Sequence, residues 1–320
     1  MIDIKYDVVG VGNAIVDVLS RTDDATIERL SIDKGAMTLI NQQQAHDLYA
    51  EIDAGVEVSG GSAANTLVGL ASLGGKGAFI GKVQEDQLGE VFSHDIRASG
   101  VEFFSSPAQT GTSTARCLIF VTPDAQRTMQ TFLGISGDLS ADDIDKEVVS
   151  AAKITYLEGY LFDKDPAREA FVRAAEFAHA AGRKVTLSLS DSFCVDRHRA
   201  SFMQLVSNHI DILFANEAEI KSLFEDDEID SVISKLKGCC DIAAITLGAE
   251  GSLIIQGDEV VEISAEPINK VVDTTGAGDL YAAGFLYGLV NGDRIEVCGQ
   301  YGSKAAAAVI QHFGARPIEI

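Results

Sequence analysis

The segment Val271-Val272-Asp273-Thr274-Thr275-Gly276-Ala277-Gly278-Asp279 combines residue types able to handle an anion and a proton side by side. An apolar lead-in runs into a glycine-rich turn, and the turn opens onto a stretch of helical periodicity over 280–289. At a helix N-terminus the N–H groups of Gly276, Ala277 and Gly278 have no intrahelical acceptor, and the macrodipole adds positive potential. Such a turn is an anion hole made from backbone alone. Asp279, in the first turn, has an ordinary structural reading as an acid that compensates the dipole, worth about 0.3–1 kcal/mol. A dipole-compensating acid does not require exposed backbone on both sides of an alanine. The glycines therefore favour a chemical reading, in which the N–H groups hold a phosphoryl group while Asp279 takes the proton of the attacking hydroxyl.

A second segment, Gly60-Gly61-Ser62-Ala63-Ala64-Asn65, with Gly81 following, groups small and polar residues in the same way. Taken with Asp-Thr-Thr-Gly-Ala-Gly-Asp at 273–279, it resembles the paired signatures of the ribokinase-like (PfkB-type) carbohydrate and nucleoside kinases, in the family's order and across nearly the whole chain. The resemblance implies an ATP-dependent phosphotransferase with Asp279 as base, Gly276, Ala277 and Gly278 as the anion hole, and Gly61, Ser62 and Asn65 at the acceptor. Gly12-Asn13-Ala14-Ile15-Val16-Asp17 resembles the family's first substrate loop, which implies that Asn13 and Asp17 bind ligand hydroxyls; a carboxylate can accept two of them. Asn216-Glu217-Ala218-Glu219 matches the N-x-x-E element, implying Asn216 at the nucleotide and Glu219 as a holder of hydrated Mg2+. Thr246-Leu247-Gly248-Ala249-Glu250-Gly251 is similar to the nucleotide loop, implying ATP contacts from Thr246, Gly248 and Gly251. Asp273, Thr275 and Gly314 take the positions of a monovalent-cation site, implying K+.

Within the family, the stretches at 13–17, 60–62, 186–190 and 210–217 resemble the adenosine kinases more than the ribokinases or fructokinases. The expected reaction is then adenosine to AMP, with Arg127 as the arginine that reaches the transferring phosphate and Tyr160 or Phe162 as the ring beneath the base. A sugar kinase is the alternative, since ribose is recognised similarly with or without a base. A reading of another class is a catalytically silent nucleoside-binding protein on this fold.

These residues need elements to position them. Apolar, β-branched runs at 7–11, 76–80, 154–157, 184–189, 211–214 and 242–246 read as strands, and helical periodicity fills 63–73, 166–181, 217–224 and 232–237. Two further helices are expected at 277–291 and 294–311. Strand and helix in alternation predict an α/β fold with a doubly wound, mostly parallel sheet, the fold that the resemblance also implies. The stretches 36–40 and 112–132 break the rhythm with Thr, Ile, Val and Phe and a Pro123-Asp124 turn, and predict short antiparallel strands forming a small β-sheet lid. The chain is thus expected to be one domain over 1–320, with lid segments at about 14–40 and 102–134.

Composition narrows the partners. A formal charge of −23 and a pI near 4.5, with no run of Lys and Arg, exclude a nucleic-acid surface. An acidic protein that binds ATP must concentrate its few cations and its backbone N–H groups at one site. Gly10-Val11-Gly12 lacks the third glycine of a dinucleotide fingerprint, Ile15 standing in its place, and Lys76 is followed by Gly77 rather than the Ser or Thr of a Walker loop. Five cysteines without C-x-x-C spacing suggest neither disulfides nor zinc. The first residues lack the basic start and apolar run of a signal peptide, and the longest uncharged stretch, 58–75, is too polar to span a bilayer. A cytoplasmic monomer or homodimer with a small-molecule substrate and no membrane partner is expected.

Overall fold

Apolar runs bounded by turns form fourteen strands in the computed structural model, which describes residues 3–52, 55–124 and 126–316. In chain order they are β1 Tyr6–Val11, β2 Ile15–Arg21, β3 Met37–Leu39, β4 Val56–Gly60, β5 Gly77–Ile80, β6 Val101–Phe103 and β7 Ala115–Val121. There follow β8 Arg127–Phe132, β9 Ala152–Glu158, β10 Lys184–Ser188, β11 Ile212–Asn216, β12 Ile242–Thr246, β13 Ser252–Gln256 and β14 Glu259–Ile263. Nine of them form one sheet in the order β14-β13-β12-β11-β10-β9-β1-β5-β6. From β12 to β6 every neighbour pair is parallel, whereas β13 and β14 add an antiparallel edge.

Burial on both faces explains why the parallel strands read as continuous apolar runs. On one face Ala167, Phe171, Phe202, Ile220 and Val232, from the helices Asp165–Ala180, Ser192–His209, Glu217–Phe224 and Ile229–Leu236, pack on Val9, Leu187 and Ile245. On the other, Leu67, Phe92 and Phe285, from the helices Ser62–Ser72, Gln87–Ala98 and Ala277–Val290, pack on Val8, Phe79 and Phe214. The sheet is therefore wound on both sides, as expected. Its switch point is β1, which has β5 on one side and β9 on the other, so a crevice opens beyond the carboxyl ends of these strands.

The remaining five strands form a second, smaller sheet in the order β3-β8-β7-β2-β4. It occupies the place expected of a lid, but two expectations need correction. The pairs β2·β7 and β3·β8 are parallel, and only β2·β4 and β7·β8 are antiparallel. Strand β4 falls outside the expected lid segments, where the sequence reads only as the approach to a glycine-rich stretch, whereas β2 lies within the segment expected at about 14–40. Both faces of β2 are covered, Val16 and Val18 by the core and Ile15 by lid residues. The β13–β14 hairpin also went unread, although its Gly257-Asp258 turn is a recognised two-residue hairpin signal. Among the described residues no helix is long and apolar enough to cross a membrane, and all five cysteines are free.

Candidate active site

The carboxyl ends of β1, β9, β11 and β12, the N-termini of four helices and the inner face of the small sheet enclose a cavity of about 810 Å3. Asp279 enters it from the first turn of Ala277–Val290. Its Oδ1 accepts a hydrogen bond from Ser62 Oγ at 2.6 Å, and its Oδ2 accepts one from Asn65 Nδ2 at 3.0 Å. Ser62 and Asn65, expected at the acceptor, thus line the cavity but spend these donors on holding the acid. Burial pushes the Asp279 carboxyl above its ordinary range, while Ser62, Asn65 and the charge of Arg316 pull the other way. A raised carboxyl is a better proton acceptor than one in water.

Gly276 has φ +78°, and a side chain there would meet Ala315, with Cβ atoms 2.8 Å apart. Among the described residues the N–H groups of Gly276 and Gly278 have no protein acceptor, but Ala277 N–H donates to the Thr274 carbonyl at 3.2 Å. The uncommitted donors of this turn are therefore those of the two glycines, and Ala277 closes the turn behind them. Gly61, with φ +96°, starts the Ser62–Ser72 helix, and any side chain there would collide with the Asn13 carbonyl.

Asn13 and Asp17 divide the roles assigned to them jointly. Asn13 donates through Nδ2 to Glu158 Oε1 at 2.6 Å and accepts from Ser136 Oγ at 2.8 Å, so it is a brace within the cavity wall. Asp17 projects from β2 into the cavity, and no described protein donor bonds its carboxylate. Burial pushes it up to about 6, against the charges of Arg316 and Arg127. It is the carboxylate left for a ligand.

At the opposite end, Asn216 and Glu219 satisfy each other in a capping box. Asn216 Nδ2 and N donate to Glu219 at 2.6 and 2.9 Å, and Glu219 N donates to Asn216 Oδ1 at 2.9 Å. Glu219 is 6 % exposed, lines the cavity and is pushed up to about 7 by burial. Each of its oxygens takes one N–H and keeps a lone pair. Among the described residues no three His, Cys, Asp or Glu side chains cluster as a metal cage. Such a site suits Mg2+, which is commonly held by one or two carboxylates together with substrate phosphates. Thr246 and Gly248 line the same region. Gly251 does not: at φ +99° it closes a turn against Ile263, where a side chain would strike the backbone, so its presence has a structural reason.

Arg127, Asp273 and Gly314 lie behind the anion hole rather than in the cavity. Arg127 Nη2 pairs with Asp273 Oδ2 at 2.7 Å, and Nη1 donates to Thr275 Oγ1 at 3.2 Å. Asp273 Oδ2 also accepts from Gly314 N at 3.0 Å, and its Oδ1 accepts from Thr275 N and Oγ1 at 3.0 and 2.8 Å. Three hydrogen-bond donors and the Arg127 guanidinium thus surround this carboxylate. Arg127 supplies a positive charge where a monovalent cation was expected, and in this structure it rests on the glycine-turn loop rather than in the phosphate space.

Of the two candidate rings, Phe162 is 2 % exposed and stacks on Phe202 at 4.1 Å inside the core, whereas Tyr160 is 40 % exposed and faces the cavity. Phe193, 72 % exposed at the start of Ser192–His209, lines it too and was not anticipated. Glu158 and Arg316 were missed as well. Glu158 is 1 % exposed at the carboxyl end of β9, accepts from Ala63 N at 2.8 Å besides Asn13, and is pushed up to about 7 by burial. An acid ending a buried parallel strand beside the switch point was its available signal. Arg316 donates to Ser59 Oγ at 2.8 Å and to the Ser59 carbonyl, close enough to Asp95, Asp17 and Asp279 to feel their charge.

Comparison with known proteins places this geometry. The structure resembles that of an adenosine kinase from Sinorhizobium meliloti, with 49 % identity and a TM-score of 0.90 over 98 % of this chain and 96 % of that one. It resembles equally a probable sugar kinase from Rhizobium etli CFN 42, with 46 % identity and a TM-score of 0.90 over the same shares. An uncharacterized sugar kinase from Archaeoglobus fulgidus is 30 % identical over 78 % of this chain and 97 % of its own length. The model of the pfkB family carbohydrate kinases matches residues 29–320. A match of that extent, together with these relatives, makes this chain a kinase of the pfkB family, acting on a sugar or a nucleoside.

Proposed function

We propose that the chain phosphorylates a nucleoside, adenosine, on its hydroxymethyl group. Family membership implies ATP as the phosphoryl donor. The observation that carries the choice of acceptor is the pair of exposed rings, Tyr160 and Phe193, in the same cavity as the uncommitted carboxylate of Asp17. A free sugar has no π-face to lay on two rings, whereas a base stacked on an aromatic side chain gains about 1–3 kcal/mol. The small sheet continues this character, since Ile15, Met37, Leu39, Ile119 and Met129 give the cavity an apolar wall. Asp17 accepts the vicinal hydroxyls of the ribose, and the rings and the apolar wall hold the base.

With the acceptor so placed, its primary hydroxyl faces Asp279. Ser62 and Asn65 fix the carboxylate, which takes the hydroxyl proton as the oxygen attacks the γ-phosphorus and the bond to ADP breaks. The Gly276 and Gly278 N–H groups accept the charge on the transferring oxygens without reorganising. Mg2+, held by Glu219 through water, would neutralise phosphate charge. The small sheet excludes water, which would otherwise compete as the acceptor.

ADP formation across a panel of adenosine, guanosine, cytidine, ribose and fructose tests the reading. Adenosine should exceed ribose in kcat/KM by roughly 10- to 100-fold, the worth of the stacked base. Equal or better turnover of a free sugar would assign the cavity to sugars.

A further inference from the structure

The loop that carries the anion hole is held from behind by an arginine of the small sheet. Arg127 and Asp273 are 9 % and 7 % exposed, and the guanidinium lies over the Phe313 ring at 4.4 Å from its centroid. Thr275, which bonds both Arg127 and Asp273, immediately precedes Gly276. A buried carboxylate in this position requires a cation, because an unpaired buried charge is strongly unfavourable. Here the cation is covalently part of the chain. Three hydrogen-bond donors and the Arg127 guanidinium surround the carboxylate, so the positive charge that an alkali ion would bring to Asp273 is already supplied.

We propose that Arg127 serves as a built-in substitute for a monovalent cation, and that phosphoryl transfer by this protein needs no K+. Arg127 is then a positioning residue: through Asp273 and Thr275 it sets the loop whose Gly276 and Gly278 N–H groups face the phosphoryl group. The inference rests on reading that loop as the phosphate cradle, but not on the identity of the acceptor. It also ties the small sheet to the cradle, since Arg127 is the first residue of β8.

The decisive measurement is a KCl titration against tetramethylammonium chloride at constant ionic strength, with initial rates on Mg-ATP and the best acceptor of the panel. The wild-type rate should change by less than about twofold. Arg127→Met removes the charge and keeps an unbranched apolar stem of similar reach, leaving Asp273 uncompensated. Its rate should fall, and K+ should restore it by a factor in the range of about 5–150 typical of coupled sites, whereas tetramethylammonium, too large to enter, should not. A second readout needs neither ATP nor acceptor: KCl should raise the melting temperature of Arg127→Met above that in tetramethylammonium, and leave the wild type unmoved. Arg127→Lys, which keeps a charge, should stay independent of K+. Several-fold activation of the wild type by K+ would overturn the proposal, as would an Arg127→Met protein indifferent to K+ in both rate and melting. If instead adenosine fails as acceptor while the melting pattern holds, only the acceptor assignment falls.

Discussion

The acid at the centre of the site is held by two neutral donors, and no cation touches it directly. Asp279 keeps one geometry because Ser62 and Asn65 grip both oxygens, and it keeps its proton affinity because burial outweighs those bonds. Replacing it by Asn preserves shape and removes the base. Asp279→Asn should lower kcat by roughly 10²–10⁴, the usual worth of a general base, while titration with ATP shows nearly unchanged affinity. A loss below tenfold would place the base elsewhere. Asp279 and Asp17 were singled out in the sequence because each sits in a short motif, and both line the cavity. Glu158 and Arg316 were not, because their partners lie far along the chain: Glu158 bonds residues 95 and 145 positions away, and Arg316 one 257 positions away. Asn216 and Glu219 were read from the sequence as a nucleotide motif, and the structure shows them joined in a capping box.

At the scale of elements, the site depends on tight entries into helices. Gly61 turns the chain from β4 into the Ser62–Ser72 helix with φ +96° and with the Asn13 carbonyl where a side chain would be. Gly61→Ala combines a strained backbone, which costs about 1–3 kcal/mol, with a steric collision against backbone. Denaturant unfolding should show a loss at the upper end of that range or beyond it, and the acceptor KM should rise because Ser62 and Asn13 shift together. A loss within about 0.5 kcal/mol, the size of an ordinary surface change, would mean that the turn is relaxed. The parallel core was readable because strands buried on both faces give uninterrupted apolar runs. The small sheet was readable in its β7–β8 hairpin, where Pro123-Asp124 marks the turn, and in the stretch that forms β3; β4 has no such mark, and its edge residue Val56 is exposed.

For the molecule as a whole, the buried acids set how stability responds to pH. Glu158 and Glu219 are each pushed up to about 7 from 4.5, and Asp17 to about 6 from 3.8. Between these limits the folded chain holds protons that the unfolded chain has released, so stability falls as pH rises through this window. The net charge of −23 acts in the same direction, since self-repulsion grows as carboxyls ionise. The melting temperature of the nucleotide-free protein should therefore decline from pH 5 to pH 8, and Glu158→Gln should flatten part of that slope. A melting temperature that climbs over this range would show these acids to be ionised as in water. The bonds that grip Asp279 have a further consequence, in the time course of synthesis. They join residues 217 and 214 positions apart, so the acid is seated only after the chain's last quarter has folded against its first. A nascent chain emerging from the ribosome therefore displays the Gly61–Asn65 loop and the Asp17 carboxylate long before Asp279 and its glycine turn exist to meet them.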